Sequence, residues 1–523
     1  MSFHDLRIVE LRGESLDLPL YVFEGVHMLF NSFSFLIFFP VVLAVYFIIP
    51  RKARYIWLLA ASYFFYMSWN PGYALLLLLS TAITYIGSLL LDKCSDRPGH
   101  RKTVAAVVLI ANLGILFLFK YLNFAVDTLQ RVLERIGVTL AEPGFSLLLP
   151  VGISFYIFQA VGYLIDVYRG DLEPERNFLR YALFVSFFPQ LVAGPIERST
   201  NLLPQLNQLE KMKLWEGDRV RDGAIVMLYG YILKMVIADR AAILVDTVFD
   251  VFTYSQYQGI TVWVAAILFS LQIYCDFAGY TYIAIGASKV LGINLMNNFD
   301  TPYLATSIKD FWDRWHISLT TWFRDYLYFP LGGSRKGKLR KYINIMIVFT
   351  FSGLWHGASW HYVAWGVVHG VMRVAGELTQ KLRERILGIL HVKTDVLSYK
   401  AFRVLVTFVL VTVAWVFFRA ASLRQALDII ISMFTRWNPW VLFDGSLLGI
   451  GLDGKDWNVL LAAILFLAVI ECFRYKKVPL VGTFAQQNLL FQMLVFYLGI
   501  MAVVIFGVYG PNYNATQFIY FQF

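Results

Sequence analysis

Along this chain the apolar positions fall in long blocks rather than in alternation. Stretches near 33–49, 55–69, 72–91, 103–119, 147–167, 223–245, 260–276, 342–354, 359–375, 401–418, 457–473 and 489–508 are built from Leu, Val, Ile, Phe, Tyr and Ala with scattered Gly. They approach the roughly 20 residues a helix needs to cross the hydrocarbon core of a bilayer. Backbone groups in lipid must be satisfied within a helix or a closed barrel, and the period-2 pattern of a barrel strand is missing. The pattern therefore predicts an all-α polytopic membrane protein with about 10–12 transmembrane helices.

Two segments break the pattern. "FLRYALFVSFFPQLVAGPIERS" is interrupted by Pro189 and Pro195, and "SIKDFWDRWHISLTTWFRDYLYFPLGGSR" mixes aromatic and charged residues at helical spacing. Both are expected to form re-entrant or interfacial helices sheltered by protein or by a cavity. Composition supports the membrane reading, with 58% hydrophobic, 17% aromatic and only 15% charged residues and a mean hydropathy of +0.60. The formal charge of +10 would suit nucleic acid, but the basic residues sit in short runs between apolar blocks. There they set topology and meet anionic lipid headgroups, so nucleic-acid binding is excluded. Cys94, Cys275 and Cys472 are too far apart to suggest a disulfide framework or a thiolate metal site.

Lys and Arg in short loops give the orientation. The runs 51–54, 92–102 and 474–477 are basic, and 309–341 carries eight basic residues against three acids. These are placed in the cytoplasm, which leaves both chain ends on the outer face if 342–354 and 359–375 form one hairpin that enters from the cytoplasm and returns. Its turn, "HGAS", then lies deep in the membrane. Residues 1–27 are polar and are read as an N-terminal extension outside the fold, 28–510 as a single transmembrane domain, and 511–523 as an extracytoplasmic tail.

Four of the eight histidines, His316, His356, His361 and His369, fall between 316 and 369. Ionisable groups at membrane depth are costly and normally face a cavity or a polar partner. His361 and His369 are read as buried neutral imidazoles, the latter beside the small-residue face of Gly366 and Gly370. His356, at the hairpin turn, is the candidate base, since a neutral imidazole can take a proton from a hydroxyl near neutral pH. His316 lies among charges at i,i+4 spacing, Asp310 with Arg314 and Lys309 with Asp313, which can pair on a solvated helix face. Asp276 and Asp239 end apolar runs, where a buried ion pair or a substrate contact would explain them. No Cys or carboxylate completes a histidine metal set, and nucleophile elbows and phosphate loops are missing from the sequence, so neither a metal site nor a covalent protein intermediate is expected.

"DFWDRWHISLTTWFRDYLYFPLGGSR", followed 40 residues after its histidine by "LWHG", resembles the double signature of membrane-bound O-acyltransferases, the MBOAT family. "FNSFSFLIFFPVV", "PVGISFYIFQAVGYLIDVYRG", "FFPQLVAGPIER" and "YCDFAGYTYIAIG" are similar to its bacterial branch, and "PLGGSR" to the alginate and polysaccharide O-acetyltransferases, although Ser334 stands where that pattern often has Asn. The resemblance covers residues 28 to about 510. It implies a ring of helices around a central tunnel, His356 as catalytic histidine and His316 as the second functional one. It further implies a bacterial cytoplasmic (inner) membrane location, with an acyl group, acetyl in first place, passing from a cytoplasmic thioester such as acetyl-CoA to an extracytoplasmic polysaccharide. A secreted or membrane-anchored hydrolase-like relay protein is the expected partner. Trp312, Trp315, Trp322 and Trp355 are candidates to line the tunnel or to form an interfacial belt, with Asp310, Arg314 and Asp276 as supporting charges. Two alternatives stand beside this one: a teichoic-acid-type D-alanyl transferase whose carrier protein docks on 303–341, and a transporter or polymer-export protein whose histidines relay protons.

Overall fold

The computed structural model describes residues 28–138, 149–192, 194–213, 215–509 and 519, and among these there are helices and loops but no strand. The expected extension 1–27 lies outside the described residues, as does the tail 511–523 apart from Ile519. Among the described residues, six helices are long and apolar enough to cross a membrane: Pro71–Lys93, Pro98–Glu134, Ile260–Val290, Leu397–Arg419, Gly454–Tyr475 and Leu489–Phe506. Shorter ones, such as Phe33–Ile48, Arg54–Met67 and Ile153–Arg169, complete the bundle.

Ile260–Val290 is the buried axis. In its most apolar stretch 72% of residues are buried, against none in Leu489–Phe506. A side chain built at Gly230 would lie 2.6 Å from the carbonyl oxygen of Gly279, and one at Gly286 would lie 2.5 Å from that of Gly223. Helices Gly217–Tyr231 and Ile260–Val290 thus meet backbone to backbone, the close approach that small residues permit in membranes.

Several elements outrun the apolar blocks that predict them. The block 260–276 extends to Val290, and 103–119 belongs to one helix running from Pro98 to Glu134. Hydropathy marks where a helix is immersed in lipid, whereas the hydrogen-bond ladder continues wherever protein or water meets the side chains. Three π-helical segments lie among the described residues, at Phe117–Tyr121, Ile232–Ala238 and Arg324–Tyr328. Such single-turn bulges are common at functional sites.

The two interrupted segments form short, broken helices. Phe178–Ser186 stops at Phe187 and restarts as Phe188–Leu191, and the region after 303 breaks into Ile308–Arg314, Ile317–Phe323 and the π turn. Asp276 and Asp239 both serve one buried cation, Lys234, at 2.6 and 2.8 Å. Asp276 also accepts the backbone N–H of Ile519 at 2.8 Å. Arg240, next to Asp239 in sequence, instead pairs with Asp456.

Candidate active site

Lys338–His356 and Trp360–Leu378 form an antiparallel hairpin of two 19-residue helices, with His356 as the last helical residue of the first. Glycines set how closely these helices lie. A Cβ on Gly366 would fall 2.2 Å from the Phe349 carbonyl oxygen, and one on Gly353 would fall 2.3 Å from that of Tyr362. The first helix is tied to the turn that precedes it by Asn344, whose side-chain amide donates to the Gly333 carbonyl at 2.9 Å.

His316 arrives from a different element. It separates Ile308–Arg314 from Ile317–Phe323 and holds φ 44°, ψ 52°, a left-handed conformation uncommon outside glycine. Such backbone persists only where the surroundings determine it. Here they do: the Ile317 N–H donates to the Asn298 carbonyl at 2.9 Å, and the Ser318 hydroxyl donates to Asn298 Oδ1 at 2.6 Å. That hydroxyl also accepts the Ile196 N–H at 3.1 Å. Upstream, Arg314 pairs with Asp310 at 2.6 Å and donates to the Asp300 carbonyl at 3.2 Å, fixing the entry to the kink. Lys309 and Asp313 pair on the exposed side.

The two histidines meet. Their ring centroids are 6.2 Å apart, and both side chains are buried, His316 at 0% and His356 at 3% exposure. Trp355 bridges them, 5.9 Å from His316 and 4.9 Å from His356, while Trp365 and Phe418 close the other side of His356 at 5.0 and 5.4 Å. Phe277 covers His316 at 4.7 Å.

Comparison with known proteins establishes the family. The chain is 36% identical over 458 residues, 87% of each chain, to the Azotobacter vinelandii protein named "Probable alginate O-acetylase AlgI". It is 38% identical over 420 residues to the Pseudomonas putida protein of that name, covering 79% of this chain and 82% of the relative. To the Helicobacter pylori "Peptidoglycan O-acetyltransferase" it is 34% identical over 440 residues, covering 78% and 80%. Residues 175–409 match the membrane-bound O-acyltransferase family. The chain belongs to that family. It is therefore an acyltransferase and a multi-pass membrane protein, and both histidines lie inside the matched region.

The four tryptophans of this acyltransferase are buried but differently employed. Only Trp355 touches both histidines. Trp322 stacks on Phe158 at 4.0 Å and donates to its carbonyl at 2.9 Å. Trp315 packs between Phe311 and Trp415, and Trp312 donates its indole N–H to His369 Nδ1 at 3.2 Å. His361 has its ring nitrogen 3.0 Å from the Phe417 carbonyl. Asp276 faces the Lys234 cluster while its neighbour Phe277 faces His316, so Asp276 is not among the groups gathered at the histidine pair. Among the described residues no His, Cys, Asp and Glu cluster could hold a metal ion.

Sequence reasoning missed Lys120, Asn298, Ser318 and Glu197. Lys120 donates to the carbonyls of Trp355 and His356 at 2.6 and 3.4 Å and to Ser154 Oγ at 3.2 Å. A lone lysine ending the apolar run 103–119 was a legible signal. Glu197 lies in the irregular segment beside Ile196, and burial pushes its carboxyl up to about 7 even though it accepts Asn201 Nδ2 at 2.7 Å and the Met296 N–H at 2.5 Å. Nothing in local pattern marks Asn298 or Ser318, because their role exists only once two distant loops meet.

Proposed function

We propose that this protein moves an acetyl group from a cytoplasmic thioester, acetyl-CoA in the first instance, to a hydroxyl acceptor on the other side of the membrane, in service of O-acetylation of an extracytoplasmic polysaccharide. The reading rests chiefly on one observation: two imidazoles from separate elements converge within 6.2 Å at the tip of a hairpin, in an otherwise aromatic and buried site.

His356 acts as general base. It takes the proton of the acceptor hydroxyl as the oxygen attacks the thioester carbonyl, and the tetrahedral adduct expels the thiolate, which recovers that proton from the imidazolium. His316, close enough that one acyl carbonyl can touch both rings, steadies the oxyanion by donating a ring N–H. The indole-rich surround excludes water, which protects the thioester from hydrolysis. The donor enters from the basic 309–341 side and the acceptor from the opposite side. A secreted or membrane-anchored relay protein carrying the acetyl group onward fits the scheme.

The test is O-acetyl ester on isolated cell-surface polysaccharide from cells carrying the wild type, His356→Ala or His316→Ala, with membrane abundance measured alongside. Loss of ester in His356→Ala at normal abundance is expected. Persistence of ester in that variant would sink the assignment of His356 as base.

A further inference from the structure

Beside the His356 tip lies a polar cavity of about 260 Å³. One wall is the hairpin turn, with Ser359 and Trp360; the other is the later turns of Pro98–Glu134, which contribute Lys120, Asn123, Asp127 and Arg131. These four residues recur at helical spacing on one face of an amphipathic stretch.

Lys120 sits between this cavity and the catalytic tip. The π-helical turn Phe117–Tyr121 carries it, and its ammonium reaches the last carbonyls of the helix that ends at His356. Those carbonyls carry the negative end of the helix dipole, which a cation stabilises. The same ammonium lies 5.7 Å from the Trp355 ring centre, on the tryptophan that bridges the two histidines. An ionisable residue so placed is expensive unless it has work to do.

We infer that Lys120 is a positioning residue for His356, holding the end of its helix and the Trp355 ring in place. The inference rests on the acyltransferase reading of His356.

The experiment uses the full chain purified in nanodiscs with acetyl-CoA as donor. Lys120→Met should lower kcat about 100-fold, the scale of a 1 Å misplacement, with the acetyl-CoA KM within twofold, and Lys120→Arg should recover at least tenfold of that loss. Lys120→Met with a normal kcat, or Lys120→Arg no better than Lys120→Met at normal abundance, overturns the positioning role. Retained activity in His356→Ala removes the catalytic reading itself, whereas a normal kcat in Lys120→Met with His356→Ala inactive removes only the positioning role.

Discussion

The hairpin's glycine contact offers the sharpest test of how packing sets catalysis. In Gly366→Ala the added Cβ would stand 2.2 Å from the Phe349 carbonyl oxygen, with Gly353 Cα and N both at 3.1 Å. Ordinary van der Waals contact begins near 3.4 Å, so the helices must part by about 1 Å, and nothing at that contact is a flexible side-chain end that could yield instead. Overpacking of this kind costs about 1–3 kcal/mol of stability. His356 lies three residues beyond Gly353 on the same rigid helix, so the parting displaces the imidazole by a comparable amount. A 1 Å misplacement of a catalytic group can cost about 100-fold in rate. Gly376→Ala is the control, because a Cβ there meets nothing within 4 Å and removing a helical glycine is worth about 0.5–1 kcal/mol in favour of the helix. The assay is acetyl transfer per mole of purified protein in detergent or nanodiscs, with monodispersity checked by size exclusion. Gly366→Ala should lose one to two orders of magnitude while remaining monodisperse, and Gly376→Ala should match the wild type. If Gly366→Ala stays within twofold of wild type, the claim that this backbone contact sets the position of His356 is refuted.

Other expectations follow from the same geometry. His356→Ala should lower transfer by about 10²–10⁴, the usual worth of a general base, and His316→Asn should fold, since Asn tolerates a left-handed backbone, yet transfer poorly; near-wild-type rates in either would contradict the assigned roles. Lys234→Met strands Asp239 and Asp276 together in the interior, and loss of one partner of a buried ion pair costs about 3–5 kcal/mol, so its thermal midpoint in detergent should fall well below that of wild type. Glu197, at about 7 in the fold against 4.5 free, binds its proton more tightly when folded. That contribution is full below pH 4.5 and fades as pH rises through 7, a loss of about 3 kcal/mol by linkage. Wild type should therefore lose thermal stability between pH 5 and pH 8 more steeply than Glu197→Gln, and parallel slopes would dismiss Glu197 as the source.

What the sequence alone determined is substantial, and the physical reason is that the relevant signals are local. Long apolar blocks impose helices because lipid offers the backbone no partners. A histidine ending an apolar helix next to Gly357 marks the turn of the hairpin. Asp310 with Arg314 was legible too, because i,i+4 neighbours touch in any helix. Tertiary structure alone decided the rest. His316 and His356 are 40 residues apart, and no periodicity relates them; they meet because the Asn298 loop forces a left-handed kink at His316 while two glycines let the hairpin close. Asp276 is drawn off to Lys234 because the adjacent residues of a helix point about 100° apart, a choice between faces that only packing makes. Lys120 ends an apolar run, which marks the residue but not its partners. Its partners are carbonyls more than 230 residues away, and backbone carbonyls leave no mark in a sequence.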